Sequence, residues 1–158
     1  MTDSLKSIAP CGVYCGACPS FNKTCFGCSS QNKKQKRTKS KFGCTVRVCC
    51  YSIKKLNYCF ECNLFPCNKV NKKLIKSHPG NPRYTYRHEL PELAKKFKKM
   101  KIEDYIQYQQ KKWTCPSCGG IVQFYHYKCG QCSYGIGLMV DGDGASKLQN
   151  NIIRFTPL

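Results

Sequence analysis

The feature that most constrains this chain is a block of cysteines between Cys11 and Cys67, which holds eleven of the fifteen cysteines among 158 residues. Three pairs within it are separated by two residues: Cys15/Cys18, Cys25/Cys28 and Cys59/Cys62. Two cysteines at this spacing in a tight turn can direct both sulfurs toward one ion. A segment so rich in cysteine depends on disulfides or metal ions to fold.

Metal is favoured over disulfides. The first ten residues lack the apolar core of a signal peptide, which fits a reducing cytoplasm, where dense cysteine indicates metal ligation. An odd total of fifteen cysteines also fits a closed disulfide framework poorly. The longest clean aliphatic run, 136–140, is interrupted by a glycine and is far too short for a membrane span. We therefore expect a cytoplasmic protein without a membrane segment.

A second cysteine cluster lies near the C-terminus. Cys115-Pro-Ser-Cys118 and Cys129-Gly-Gln-Cys132 are separated by ten residues, several of which favour β-strands. Two such turns facing each other across a hairpin form the tetrahedral four-cysteine site of a zinc ribbon. His126, between the pairs, is predicted to be a surface residue. The turn 141–144 lacks the later glutamate of a calcium loop, and a last strand is expected around 152–155.

The predicted metal ligands fall into these two clusters. They are Cys11, Cys15, Cys18, Cys25, Cys28, Cys44, Cys49, Cys59, Cys62 and Cys67 in the block, and Cys115, Cys118, Cys129 and Cys132 in the ribbon. Cys49 and Cys50 are adjacent, so we expect one to bind metal and the other to pack. Several groupings of the block satisfy the spacing. We predict two or more zinc ions, with a 4Fe–4S cluster in the N-terminal block as the alternative.

The chain is strongly basic, with 27 Lys and Arg against 8 Asp and Glu and a formal net charge of +19. Each zinc ion held by four thiolates contributes a net charge of about −2, which leaves a large positive excess. A polyanionic partner such as RNA or a ribonucleoprotein is therefore plausible, although the charge can also serve solubility alone. The predicted contacts are Lys33, Lys34, Lys36 and Arg37 in a solvated loop over 29–41, and Lys95, Lys96, Lys98 and Lys99 on a helix.

Aromatic residues near these bases can add stacking to the charge. Tyr84, Tyr86, Tyr105 and Tyr108 are the tyrosines that we expect to be available to bases.

The apolar periodicity predicts helices in the middle of the chain. One covers 68–79 and ends at a Pro-Gly-Asn-Pro linker, and two more lie within 83–112. We predict a small, metal-stabilised α+β fold with three parts. These are an irregular cysteine-rich module over 1–79, a basic helical connector over 80–112, and a zinc ribbon with a C-terminal strand over 113–158.

The cysteine pattern resembles family 3795 of domains of unknown function, an uncharacterised prokaryotic family. The shared motifs are Cys-Gly-x-Tyr-Cys-Gly-x-Cys-Pro at 11–19, Cys-x-Gly-Cys at 25–28, and Cys-x-x-Cys followed by Phe-Pro-Cys at 59–67. Some members look similar further on as well, here over 113–132. The resemblance implies metal binding, most simply of zinc, and implies no reaction. The basic insert at 31–41 departs from the family pattern.

The sequence is compatible with three functional hypotheses. The first is a structural zinc protein that binds RNA, a ribonucleoprotein or another protein. The second is an iron–sulfur or redox protein using Cys11, Cys15 and Cys18, whose spacing is that of radical S-adenosylmethionine enzymes, although their barrel needs about 200 residues or more. The third is a metal-dependent enzyme, which usually mixes histidine or carboxylate ligands with cysteine. All three histidines lie outside the block and its one interior carboxylate is Glu61, so no catalytic residue is predicted.

Overall fold

The computed structural model describes residues 5–136 and, as backbone strands, Leu138–Val140 and Ser146–Leu148. It contains short helices and two-stranded antiparallel sheets, which confirms the α+β class at that level. The expected turn at 141–144 and the strand around 152–155 lie outside the described residues.

The N-terminal part consists of single turns and short helices. Its 3₁₀ turns are Leu5–Ser7, Cys15–Ala17 and Cys59–Glu61. Its helices are α1 (Thr38–Phe42), α2 (Thr45–Val48) and α3 (Asn68–Val70). Wider π-type turns continue α2 over Cys49–Ile53 and α3 over Asn71–Ile75. The helix predicted over 68–79 is therefore present but ends at Ile75. Helices α1 and α2 were not predicted, because four or five residues carry too little periodicity to detect.

Two of the cysteine turns have nearly the same backbone. Cys15–Ala17 and Cys59–Glu61 each follow an extended tyrosine and end on a cysteine. The closing residues, Cys18 and Cys62, both have φ −77°, with ψ 129° and 131°. Their N–H groups donate to the carbonyl oxygens of Cys15 and Cys59 at 2.9 and 3.0 Å. The repeated Tyr-Cys-x-x-Cys sequence thus produces a repeated turn.

Residues 82–112, within the segment predicted to be a connector, form short helices. They contain a 3₁₀ turn, Pro82–Tyr84, followed by α4 (Thr85–His88), α5 (Leu90–Phe97) and α6 (Ile102–Lys112). Pro91 lies in the first turn of α5, where its missing N–H has no intrahelical partner to lose. Leu90 and Leu93 are buried and Tyr105 is fully buried, so both helices turn their apolar stripes inward. The longest of these helices has eleven residues, and no described helix could span a membrane.

The ribbon hairpin pairs β1 (Val122–Gln123) with β2 (Lys128–Cys129), and Val122 lies opposite Cys129. A second antiparallel pair, β3 with β4, joins Leu138–Val140 to Ser146–Leu148. Residues 124–127 form the turn of the first hairpin rather than strand. Phe124 and Tyr127 face the core there and are buried.

One hydrophobic core contains residues from all three predicted segments. Its buried members include Ile8, Tyr14, Ala17, Phe60, Leu90, Tyr105, Trp113, Val122 and Phe124. Phe60 makes edge-to-face contacts with Phe65 (4.9 Å between ring centroids) and Phe97 (5.4 Å). The N–H of Phe124 donates to the carbonyl oxygen of Ala17 at 2.9 Å. The ribbon therefore packs directly on the N-terminal module, and the boundaries at 79/80 and 112/113 remain predictions.

Two glycines with positive φ differ in their surroundings. Gly12 has φ +91°, and a Cβ at this position would lie 2.1 Å from Cζ of Phe60. Gly119 has φ +73°, and a Cβ there would meet nothing within 4 Å. Gly12 is needed both for its backbone conformation and for the approach of Phe60, whereas Gly119 is needed only for its backbone.

Candidate metal centres

The four ribbon cysteines converge on one point. The hairpin sets the two turns opposite each other, with Sγ–Sγ distances of 3.7 Å between Cys115 and Cys132 and 3.5 Å between Cys118 and Cys129. All four sulfurs lie within 4.8 Å of one another. A tetrahedral ion with metal–sulfur bonds of about 2.3 Å would place its sulfurs about 3.8 Å apart. The group could therefore hold a metal ion with little rearrangement.

The ribbon also favours thiolate, the form of cysteine that binds metal. Burial raises the pKa of Cys129, but hydrogen bonds from the N–H groups of Cys132 and Gln131, and from the Cys118 and Cys115 thiols, bring it to about 6. The N–H of Gln131 lies 3.4 Å from the Cys129 sulfur. Sequence reasoning did not single out Gln131; the available signal was its position between two predicted ligands.

The pKa of the Cys118 thiol shifts in the opposite direction. The N–H of Gly120 lowers the pKa of Cys118, but hydrogen bonds between its thiol and those of Cys132, Cys129 and Cys115 raise it to about 12. Cys129 therefore loses its proton more readily than Cys118. Binding of a cation would displace the proton of Cys118.

The sulfurs of the N-terminal cysteines do not converge as closely as those of the ribbon. Among residues 5–136, the ribbon is the only group of three or more cysteine, histidine or carboxylate ligands within 4.8 Å of one another. The predicted N-terminal ligands nevertheless separate into two sets, which we call the first and second thiol sets.

The first thiol set contains Cys11, Cys15, Cys25 and Cys28. Cys15 and Cys28 lie close enough for their thiols to shift each other's pKa, and Cys11 interacts electrostatically with both. Cys25 is included through its Cys-x-x-Cys spacing to Cys28 and its electrostatic interaction with Lys41. Burial, followed by the proximity of Cys28, raises the pKa of Cys11 to about 12. The hydrogen bond with Cys15 and the positive charges of Lys41, Arg47 and Arg37 outweigh burial at Cys28 and lower its pKa to about 7.

The second thiol set surrounds a cavity of about 20 Å³, close to the volume that one water molecule needs. The cysteines that line the cavity are Cys49, Cys50, Cys59, Cys62 and Cys67. Leu56, Phe65, Val70 and the basic residue Lys54 complete the wall. Three of these cysteines, at positions 49, 62 and 67, also line an adjoining groove of about 450 Å³ on the outer side.

The adjacent pair Cys49–Cys50 has two different environments. Cys50 is 2% exposed, and its thiol donates to the carbonyl oxygen of Leu56 at 3.3 Å. Cys49 is half-buried and borders both the cavity and the groove. The Cys59 thiol also lowers the pKa of Cys50, so burial and thiolate character indicate different ligands, and Cys49 as the ligand stays a prediction.

The two remaining predicted ligands are assigned to neither set. Cys18 packs against the main hydrophobic core. Cys44 precedes α2, interacts electrostatically with Cys11 and packs against the cluster that contains Cys50 and Cys59. The Cys15 thiol thus contacts Cys28, which is distant in sequence, although the spacing had paired Cys15 with Cys18.

Two buried cations lie beside the first thiol set. Lys41 is 4% exposed, and burial and then the charge of Arg47 lower its pKa, against the effect of the Cys25, Cys28 and Cys15 thiols. This corrects the prediction of a solvated loop over 29–41, because α1 turns the end of that loop inward. A lysine within a run of bases carries no sequence signal of burial.

Arg47 is the second of these cations and is also buried. Its Nε donates to the carbonyl oxygen of Cys28 at 3.0 Å, and its Nη2 donates to Oε1 of Gln31 at 3.1 Å. Its guanidinium group lies over the ring of Phe42, 4.4 Å from the centroid. These contacts hold a positive charge next to the Cys25–Cys28 turn.

The basic residues predicted to contact nucleic acid lie mostly at the surface. Exposed members are Lys33, Lys34, Lys36, Arg37, Lys95, Lys98 and Lys99, whereas Lys96 is half-buried. Lys96 lies over the Tyr108 ring at 4.8 Å, and Lys95 forms an exposed ion pair with Glu92 at 2.9 Å. The loop that carries the first four is ordered by local hydrogen bonds, including Thr38 Oγ1 to the carbonyl oxygen of Gln35 at 2.7 Å.

The expected stacking tyrosines are largely covered. Tyr105 is 0% exposed and Tyr86 is 6% exposed, with the Tyr86 ring stacked on Phe124 at 4.1 Å. Their predicted availability to bases is wrong, because Phe124 of the ribbon covers Tyr86 and the rings of Phe60 and Phe97 pack against Tyr105. Tyr84 and Tyr108 are half-buried, and Arg87 lies over the Tyr84 ring at 4.6 Å.

Comparison with known proteins adds one match. No curated protein and no solved structure matches the chain. Residues 7–72, which include both N-terminal thiol sets, match the model of a family described as "Protein of unknown function (DUF3795)". The resemblance expected from the cysteine motifs is therefore confirmed over residues 7–72.

Proposed function

We propose that the protein is a structural zinc protein whose metal-stabilised fold presents a basic surface to RNA or a ribonucleoprotein. The observation that carries the metal part is the convergence of the four ribbon sulfurs within 4.8 Å. Four thiolates with no histidine or carboxylate among them form the closed site typical of structural zinc. The ligands in this proposal are Cys115, Cys118, Cys129 and Cys132.

Metal analysis of anaerobically purified protein tests this part. We expect zinc, with one ion in the ribbon and at least one more in residues 11–67. The alternative is an iron–sulfur cluster on Cys11, Cys15 and Cys18, which would give a brown protein whose colour bleaches on reduction. Inorganic sulfide decides between them, because iron bound by a single four-cysteine knuckle contains no sulfide. A protein purified without any bound metal would contradict both.

The charge distribution supports the RNA part. Four exposed bases on the loop before α1 and three more on and after α5 can contact phosphate without reading sequence. Because two of the four tyrosines are buried, we expect charge rather than stacking to provide most of the affinity. Binding should therefore fall steeply with salt and tolerate changes in RNA sequence.

A titration of single-stranded RNA compares two variants of equal charge. In the first, Lys33, Lys34, Lys36 and Arg37 are replaced by glutamine. In the control, Lys69, Lys72, Lys73 and Lys76 are replaced, which are four exposed lysines on and after α3. We expect the loop variant to bind more weakly and with a shallower salt dependence than the control. No binding of the wild type at low salt would overturn the RNA proposal and leave a protein partner as the alternative.

A further inference from the structure

The ammonium group of Lys41 is buried without a hydrogen-bond partner among the described residues. Its nearest favourable contact is the face of the Phe42 ring, with Nζ 4.9 Å from the centroid. Burying a charge costs several kcal/mol unless an opposite charge or hydrogen bonds compensate it. A second buried cation, Arg47, increases that cost by repulsion. This region therefore needs a source of negative charge.

Carboxylates do not supply it. Glu61 is the one acidic residue between 5 and 79. Its Oε2 accepts hydrogen bonds from the N–H groups of Asn57 and Tyr58, both at 3.0 Å. Glu61 is thus committed to the turn at Cys59–Glu61. The groups that do face Lys41 are the thiols of Cys25, Cys28 and Cys15.

We propose that Cys11, Cys15, Cys25 and Cys28 bind one divalent metal ion as thiolates, and that Lys41 and Arg47 neutralise the charge of this site. Four thiolates around a divalent ion carry a net charge of −2, which two buried cations balance. Cys11 lies between the two thiol sets, because it interacts with Cys15 and Cys28 and also packs against the cluster that contains Cys59. We assign it to the first set, where the two buried cations lie. The inference rests on the proposed metal-binding role, but it does not require metal in the ribbon.

This assignment divides the cysteine block. The first thiol set and its two cations form one site, and the second thiol set, around its small cavity, is left as a separate group. Cys18, packed on the main core, belongs to neither. The assignment thus separates Cys18 from Cys15, its neighbour in the Cys-x-x-Cys spacing.

The first test is metal transfer from full-length, zinc-loaded protein to a chromogenic chelator. Lys41→Met removes the charge and keeps the length of the side chain. Lys39→Met, on an exposed position of the same helix, is the matched control. Lys41→Arg restores the charge. Loss of a group that supports metal ligands typically costs 10–100-fold in affinity, so one class of zinc should transfer about 10- to 100-fold faster in Lys41→Met alone.

The ribbon zinc serves as an internal reference, because its release should be the same in all three variants. Equal release of every class of zinc from Lys41→Met and Lys39→Met would overturn the role of Lys41. Partial rescue by Lys41→Arg supports a role for the charge, whereas no rescue overturns it.

A second measurement needs no variant and remains informative if Lys41→Met does not fold. Wild-type zinc protein is exposed to limiting chelator and an alkylating reagent, and modified cysteines are identified by mass spectrometry. We expect Cys11, Cys15, Cys25 and Cys28 to become reactive together, with the loss of one metal equivalent. Modification of Cys18 or Cys44 in place of one of them would overturn the ligand set. The ribbon cysteines are scored separately in the same samples, and their modification as a group with the loss of a further metal equivalent tests the proposed function.

Discussion

The ribbon and the N-terminal module both bring cysteine thiols together, but they do so through different kinds of contact. In the ribbon, a short hairpin brings four sulfurs within 4.8 Å, and two of them, Cys118 and Cys132, are exposed. In the N-terminal module the thiols are buried or half-buried, and no three lie that close in the described residues. In the ribbon, pairing of β1 with β2 is enough to account for the approach of the thiols. The N-terminal module needs contacts between distant parts of the chain.

The comparison teaches that dense cysteine spacing and preorganised geometry are separate properties. Cys115 and Cys132 are 17 residues apart, and one strand pair fixes their approach. Cys15 and Cys28 meet only after an irregular segment has folded back on itself. Closing such segments costs chain entropy, which burial in a small core compensates poorly. We therefore expect metal to contribute more to folding in the N-terminal module than in the ribbon.

Metal removal should give the largest effect and tests this expectation directly. A strong chelator should unfold residues 5–79, because the binding free energy of metal there is folding free energy. Limited proteolysis and circular dichroism would follow the change. If both measurements are unchanged after complete removal of metal, the expectation that metal stabilises the N-terminal module more than the ribbon is wrong.

Replacement of Cys62 by serine should be the next largest effect. Cys62 lines both the cavity and the outer groove of the second thiol set, so we expect it to bind metal. Loss of a metal site can cost on the order of 4 kcal/mol of the free energy of unfolding, well above a typical substitution. Chemical denaturation of the zinc-loaded proteins would measure it.

Cys50→Ser is the matched control for Cys62→Ser. A hydroxyl group at this position can still donate to the carbonyl oxygen of Leu56, so we expect a cost of about 1 kcal/mol. If Cys50→Ser were the more damaging of the two, Cys50 rather than Cys49 or Cys62 would be the metal ligand at this cavity.

Gly12→Ala and Gly119→Ala compare the packing of the two regions. Both positions have positive φ, which costs alanine about 1–2 kcal/mol. At Gly12 the new methyl group also displaces Phe60, which adds about 1–3 kcal/mol of overpacking. Thermal or denaturant unfolding should show the larger loss of stability for Gly12→Ala. Equal losses would mean that Phe60 moves aside without cost.

The order of thiol modification should give the smallest effect, a difference in rate. Because Cys118 and Cys132 are exposed, we expect limiting chelator and an alkylating reagent to modify the ribbon before Cys59, which is buried. Mass spectrometry after short exposures would record the order. The reverse order would indicate that the N-terminal metal is the more accessible one, despite the burial of its surroundings.

The parts of this molecule that could be predicted from sequence are those with a local cause. The ribbon hairpin follows from two cysteine pairs ten residues apart, and the apolar stripes of α5 and α6 follow from helical periodicity. The burial of Lys41 and Tyr86 has no such cause. Lys41 is buried where α1 packs near distant thiols, and Tyr86 is covered by Phe124 of the ribbon. Both depend on tertiary contacts that residue spacing does not encode.

The continuous core has a consequence for the segment that matches the family model. Ile8, Ala17 and Phe60 lie within the matched residues 7–72, yet they pack in one cluster with Tyr105 and Phe124, which lie beyond it. A polypeptide limited to that segment would expose these side chains to water, and exposed apolar patches promote association. The connector and the ribbon therefore act as a cover for the apolar face of the matched segment.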